Sequence, residues 1–190
     1  IALANNIEVS NNDGRNHIEL NSGGGSATLS GDIAVDNNDV FNFHFRTNGG
    51  DLTVAGNIGD GSGNGFFYKS LEGSLILTGD TTLTGGVRVD GGLNSILQIG
   101  DGGTAGSITT DIDNRGVVEF NRSDAITYNG VISTGSANGG AVYQSGSGIT
   151  TFTGNNSYKG ETQVNAGTLV INGDQSAATG NVVVASGATL

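Results

Sequence analysis

A chain of 190 residues with 35 Gly and no Pro, Cys, Met or Trp departs far from ordinary globular usage. Its formal charge of −11, on only 7 Lys plus Arg, argues against nucleic acid and anionic membrane surfaces as partners, since both recruit clustered cations. Recurrent short runs of Val, Ile, Leu and Thr argue against disorder. Scattered Gly, Asn, Asp, Ser and Thr argue against helices, where Gly alone costs ~1 kcal/mol per position.

The chain opens IALANNIEVS, with neither a basic n-region nor an apolar h-region, so no signal peptide is expected in these residues. No apolar run approaches the ~20 residues a transmembrane helix needs. Strands are predicted where short apolar alternations are bounded by Gly or Asn. In order these are Ile7 to Val9, Ile18 to Leu20, Ala27 to Leu29, Ile33 to Val35, Val40 to Phe45, Leu52 to Val54 and Phe66 to Tyr68. Ser74 to Leu77, Val87 to Val89, Ile96 to Ile99, Val117 to Phe120, Ile126 to Tyr128 and Ala141 to Tyr143 follow. The last are Thr150 to Phe152, Thr168 to Ile171, Val182 to Val184 and Thr189 to Leu190. Phe41, Phe43 and Phe45 alternate with Asn42 and His44, so one set faces inward and the other faces solvent. Phe66 and Phe67 cannot both be interior on one face.

Strands spaced about 8 to 14 residues apart fit a sandwich or a solenoid. Three features favour the solenoid: very short strands, turns dominated by single Gly and Asn residues, and a long internal repeat. The repeat sets GDTTLTGGVRVDGG against GNNSYKGETQVNAG, about 75 residues on, without a gap. Gly79 falls on Gly154, Gly85 on Gly160, Val89 on Val164 and Gly92 on Gly167. With one residue slipped the match runs back to Asp51 and Ala125, which divides the chain into 51–124 and 125–190. The reading is all-β: one parallel β-helix over 1–190, of about eight or nine coils of ~20 to 25 residues, with about three coils per repeat. Zero Pro fits interior strands that need every N–H for the ladder. The chain stops after SGATL on what reads as a strand, so both ends read as cut from a longer array.

Sites are sparse. No cysteine nucleophile exists, and no GxSxG elbow lies in a strand–turn–helix setting. His44 reads as a solvent-face strand residue, and His17 has no evident partner. Asp111 and Asp113 lie two apart near Arg115, a pattern that suits a coil corner and, as the sharper alternative, a carboxylate pair acting on a glycan. Asn11-Asn12-Asp13-Gly14 and Asp36-Asn37-Asn38-Asp39 are oxygen-rich, which makes Asp13, Asp36 and Asp39 weak Ca²⁺ candidates. Neither run fits an EF-hand, and Asx-turns at corners explain both. Sequons at Asn121 and Asn155 are weak signals. No other cofactor is indicated.

The segment GITTFTGNNSYKGETQVNAGTLVIN, with Gly154, Asn155, Asn156, Tyr158, Gly160, Val164, Asn165 and Gly167, resembles the passenger-associated repeat of bacterial autotransporters. The copy from Gly73 departs from the usual pattern, with DTTLTGG in place of NNTYTGG and Leu83 where Tyr158 stands. The resemblance implies a right-handed parallel β-helix carried to the surface of a Gram-negative cell by a C-terminal β-barrel lying outside these residues. Passengers share a fold and not an activity, so it supports location better than action. The function expected is a non-catalytic stalk and/or adhesin, attaching to host or neighbouring-cell surface molecules or to itself, with no membrane contact by this segment. A carbohydrate-active β-helix enzyme, a polysaccharide lyase or hydrolase, is the alternative; so is a self-assembling filament, because open strand edges template pairing.

Overall fold

The structure, a computed structural model, describes residues 2–3, 7–9, 16–20, 25–35, 43–61, 63–136 and 139–190. Short strands with one or two inward side chains cannot bury a face alone, and here each pairs with its counterpart one coil away. Ladder partners lie 26 residues apart at Ala2 and Thr28, and 20 apart at Val142 and Thr162. Every strand pair among the described residues is parallel, so the chain is a β-solenoid.

The longest sheet stacks nine strands, from Ala2–Leu3 to Val182–Val184. In each coil the chain next enters a five-stranded sheet, from Ile7–Val9 to Ser107–Ile108. It then passes through a six-stranded sheet, from Asn16–Glu19 to Ile132–Ser133. Beyond Ser107–Ile108 a three-stranded sheet (Ala125–Tyr128, Ile149–Phe152 and Thr168–Ile171) takes the five-stranded sheet's place in the coil.

Alternation decides what is inside. Leu52, Leu75, Leu97, Val118 and Val142 stack in register in the nine-stranded sheet, each at most 1 % exposed. Phe43, Phe45 and Phe67 form an interior column with ring centroids 4.8 and 5.0 Å apart. Phe120, Tyr128 and Phe152 form a second aromatic cluster toward the C-terminus. Each such side chain contributes ~1.5–3 kcal/mol on burial. Phe67 is the inward member of its pair, while Phe66 lies outside against Tyr68, 5.0 Å between centroids.

Several strands escape the sequence reading: Ile58–Asp60, Asp80–Thr82, Ser107–Ile108, Ile112–Asn114, Ile132–Ser133 and Thr162–Val164. Each is two or three residues long, too short for a period to show. The strand expected from Val40 is Phe43–Arg46; residues 40–42, Phe41 among them, lie outside the described residues. The strand expected at Thr189 is a single bridge to Thr168.

The repeat is offset by a face. Gly73–Leu77 belongs to the nine-stranded sheet, whereas its copy, Ile149–Phe152, belongs to the three-stranded sheet. Gly86–Val89 belongs to the six-stranded sheet and its copy, Thr162–Val164, to the nine-stranded sheet. The offset is three coils plus one face. What the copies share is corner packing. A Cβ at Gly79 would overlap the carbonyl oxygen of Gly56, and one at Gly154 that of Gly130. Neither glycine has positive φ, so close approach of the neighbouring coil, and not backbone freedom, is what requires Gly there.

Candidate functional site

Outward residues of the six-stranded sheet build a patch where different coils bring charged and aromatic side chains together. Register aligns His17, His44, Tyr68, Arg88 and Asp113 in one column. His44 stacks on Tyr68, centroids 4.6 Å apart and planes at 10°. The Arg88 guanidinium lies over the other side of that ring, 5.2 Å from its centroid. Arg88 Nε then donates to Asp113 Oδ2 at 2.7 Å.

A parallel column holds Glu19, Arg46, Ser70, Asp90 and Arg115. Glu19 aligns with Arg46 and Arg46 with Ser70. The N–H of Asp90 donates to Lys69 O and that of Arg115 to Val89 O, one coil on each time. Arg46 meets Glu19 at 3.0 Å, and Arg115 meets Asp113 at 3.1 Å and Asp90 at 3.8 Å. The hydroxyl of Ser70 and Nδ1 of His44 are 2.7 Å apart. Burial, and then Arg46, hold the His44 pKa below its ordinary value, so its ring is neutral at pH 7.

Asp113 is fully occupied. Its Oδ1 accepts the Gly135 N–H, and its Oδ2 accepts both guanidiniums. Burial pulls its pKa up; the Gly135 N–H, Arg115 and Arg88 outweigh this and hold the carboxyl below its usual range. Asp111 points elsewhere, its Oδ1 accepting the Val131 N–H at 2.8 Å in the next coil. The two carboxylates thus bind different backbone groups, Asp111 just before the strand Ile112–Asn114 and Asp113 within it.

Sequence reasoning missed Lys69. It lies on the inward side of its strand with no exposed area. Its Nζ donates to Leu71 O at 2.8 Å and to Ser95 Oγ at 2.9 Å. Burial lowers its pKa to about 7. The available signal was parity: in Phe66–Ser70 a buried Phe67 commits Lys69 to the same face.

The repeat residues are structural. Val164 is fully buried, Asn156 Oδ1 accepts the Ile132 N–H at 2.7 Å, and Asn155 Oδ1 accepts the Asp174 N–H. Tyr158 is buried with its hydroxyl 2.7 Å from Thr162 Oγ1, and Leu83 is buried at the matching position. The Asn165 N–H donates to Gln144 O, while a Cβ at Gly160 would crowd Gly140 and one at Gly167 would crowd Gly148. Gly85 packs against Gly65 in the same way, and Gly92 holds φ 72° with open space around it. Asp13, Asp36 and Asp39 lie outside the described residues, and no cluster of three or more metal-ligating side chains occurs among those described. A polar groove of about 420 Å³ runs beside the Asp101 to Gly106 loop, where Arg122 is bound to Gly106 O and Asp124.

The family described as passenger-associated-transport-repeat matches residues 72–93 and 142–171. The adhesin BmaC autotransporter of Brucella suis is 48 % identical over 88 residues, covering 45 % of this chain and 2 % of that protein. Outer membrane protein B of Rickettsia prowazekii is 34 % identical over 110 residues, covering 57 % of this chain and 6 % of that protein. The chain therefore spans only a few per cent of the length of these relatives. No solved structure matches. The chain thus carries two stretches similar to the passenger-associated-transport-repeat, on a parallel β-solenoid, and over about half of its length it is similar to an autotransporter adhesin and to an outer membrane protein.

Proposed function

We propose that this segment is a non-catalytic stalk and/or adhesin, holding a flat, ordered surface out from the cell and contributing to attachment. Its partners are host or neighbouring-cell surface molecules, or another copy of itself. A C-terminal β-barrel elsewhere in the full-length chain exports it. The observation that carries this reading is the outer face of the six-stranded sheet. Its charged groups neutralise one another across five coils, giving a rigid contact surface in which Asp113 is held ionised by two guanidiniums. A general acid needs a carboxyl that retains its proton, the opposite of what surrounds Asp113. One relative is itself named an adhesin. Beads coated with the purified segment are expected to attach to cultured cells or to one another above the level of albumin-coated beads. Background-level attachment to both would leave the stalk role alone, and cleavage of any member of a polysaccharide panel would overturn the non-catalytic reading.

A further inference from the structure

We propose that the outer face of the six-stranded sheet is a homotypic contact surface, on which a second copy of this chain docks with its stack reversed, about a two-fold axis running along Phe66–Ser70. This deepens the attachment reading and rests on it, naming both the partner and the face.

Charge is the first argument. The chain holds 18 carboxylates against 7 cations, so two copies repel over most of their surface. This face balances Glu19, Asp90 and Asp113 with Arg46, Arg88 and Arg115. Among the other described cations, Lys69 is sealed inside, Arg122 is tied to Asp124, and Lys159 stands exposed away from this face. The neutral face is therefore where like copies approach at least electrostatic cost. It also presents Phe66, Tyr68 and His44, rings of the kind that protein interfaces favour.

Order is the second argument. Read along the stack, the column Glu19, Arg46, Ser70, Asp90, Arg115 runs negative, positive, neutral, negative, positive. Reversed about Ser70, every sign meets its opposite: Glu19 faces the second copy's Arg115, and Arg46 faces its Asp90. The neighbouring column sets His17 against Asp113, the ring of His44 against Arg88, and Tyr68 against itself. An isologous contact needs this antisymmetry, since residue i must meet j wherever j meets i.

Size sets the strength. Five coils at ~4.8 Å by a strand of ~13 Å give roughly 300 Å² a side, below the ~800 Å² of a standard interface. A single contact is thus weak, and its effect depends on many displayed copies acting together.

Sedimentation velocity of the purified segment up to ~500 µM is expected to show a dimer that weakens with salt. Arg46→Glu and Asp90→Arg are each expected to weaken self-association at least about tenfold, which is ~1.4 kcal/mol. An equimolar mixture of the two variants is expected to recover it, because Glu at 46 then faces Arg at 90. Ser70→Cys is expected to give a disulfide dimer on mild oxidation, and Thr53→Cys, outward on the nine-stranded sheet, is not. Circular dichroism of each variant checks the fold. A monomer at every concentration, failure of the mixture to recover, or equal cross-linking through Thr53→Cys would each overturn the proposal. If the segment stays monomeric while coated beads still attach to cells, this inference falls and the attachment reading stands.

Discussion

Replacing Lys69 with Met is expected to stabilise the protein at pH 7 and destabilise it above about pH 10. The amine sits with no exposed area between Phe45 and Val89 of the adjacent coils, and its two acceptors are uncharged. Burial brings its pKa from 10.5 to about 7. The gap corresponds to about 5 kcal/mol of ionisation cost, fully present below pH 7, where both states hold the proton. Between pH 7 and 10.5 only the unfolded chain remains protonated, so the cost shrinks and stability rises with pH. Met keeps the aliphatic volume and removes the amine, but strands Leu71 O and Ser95 Oγ at about 1–2 kcal/mol each. The variant is thus ahead at pH 7 by roughly 2 kcal/mol and behind once the wild-type amine is neutral in both states. Urea midpoints by circular dichroism at pH 7, 8 and 9 should show the difference between the two proteins falling by about 2 kcal/mol across that range. Buried tyrosines titrate in both proteins and cancel. A difference that does not change with pH would refute the reasoning, because it would mean that the amine is protonated or solvated inside the fold.

Gly154→Ala is expected to cost several times more stability than Gly92→Ala. The first drives a Cβ into the Gly130 carbonyl, while the second meets no atom and bears only the strain of φ 72°, about 1–2 kcal/mol. Gly25→Ala, with nothing nearby, should fall within about 0.5 kcal/mol of wild type by thermal melt. Phe152→Ala removes the ring shared with Phe120 and Tyr128 and is expected to cost about 3–5 kcal/mol, against less than about 1 for Phe66→Ala on the outer face. Asp113→Asn should cost about 1 kcal/mol at pH 7, as expected for partly exposed pairs. Because the Asp113 pKa is depressed, that contribution is present above the ordinary carboxylate range and is lost as pH falls through the lowered pKa, so the difference between the two proteins should shrink on acidification.

The fold was legible where alternation spans enough residues to be seen. Phe43 and Phe45 around His44 gave both a strand and its inward side. Ile112–Asn114 and Ile132–Ser133 offer one apolar inward residue each, which no period can distinguish from a loop. Repeat glycines were legible as corners, though the reason lies in contact between coils and not in φ at Gly79 or Gly154. The outer face was not legible. Arg88 and Asp113 stand 25 residues apart and Arg46 and Glu19 stand 27 apart. Coils of unequal length put no fixed count between partners, so register has to be seen in three dimensions. Lys69 was hidden for another reason: charge suggests solvent, and only the parity set by Phe67 overrules it.

The one-face offset of the repeat bears on how a longer rod would present itself. Gly73–Leu77 and Ile149–Phe152 are the same sequence element on two different sides of the stack. Duplicating such a unit end to end would advance any outward feature by about a third of a turn with each copy. Three units would point it in three directions, and the fourth would return it to the first azimuth. A surface element multiplied this way faces every side of the shaft, so a neighbour would meet it whatever the rotation of the molecule about its own axis.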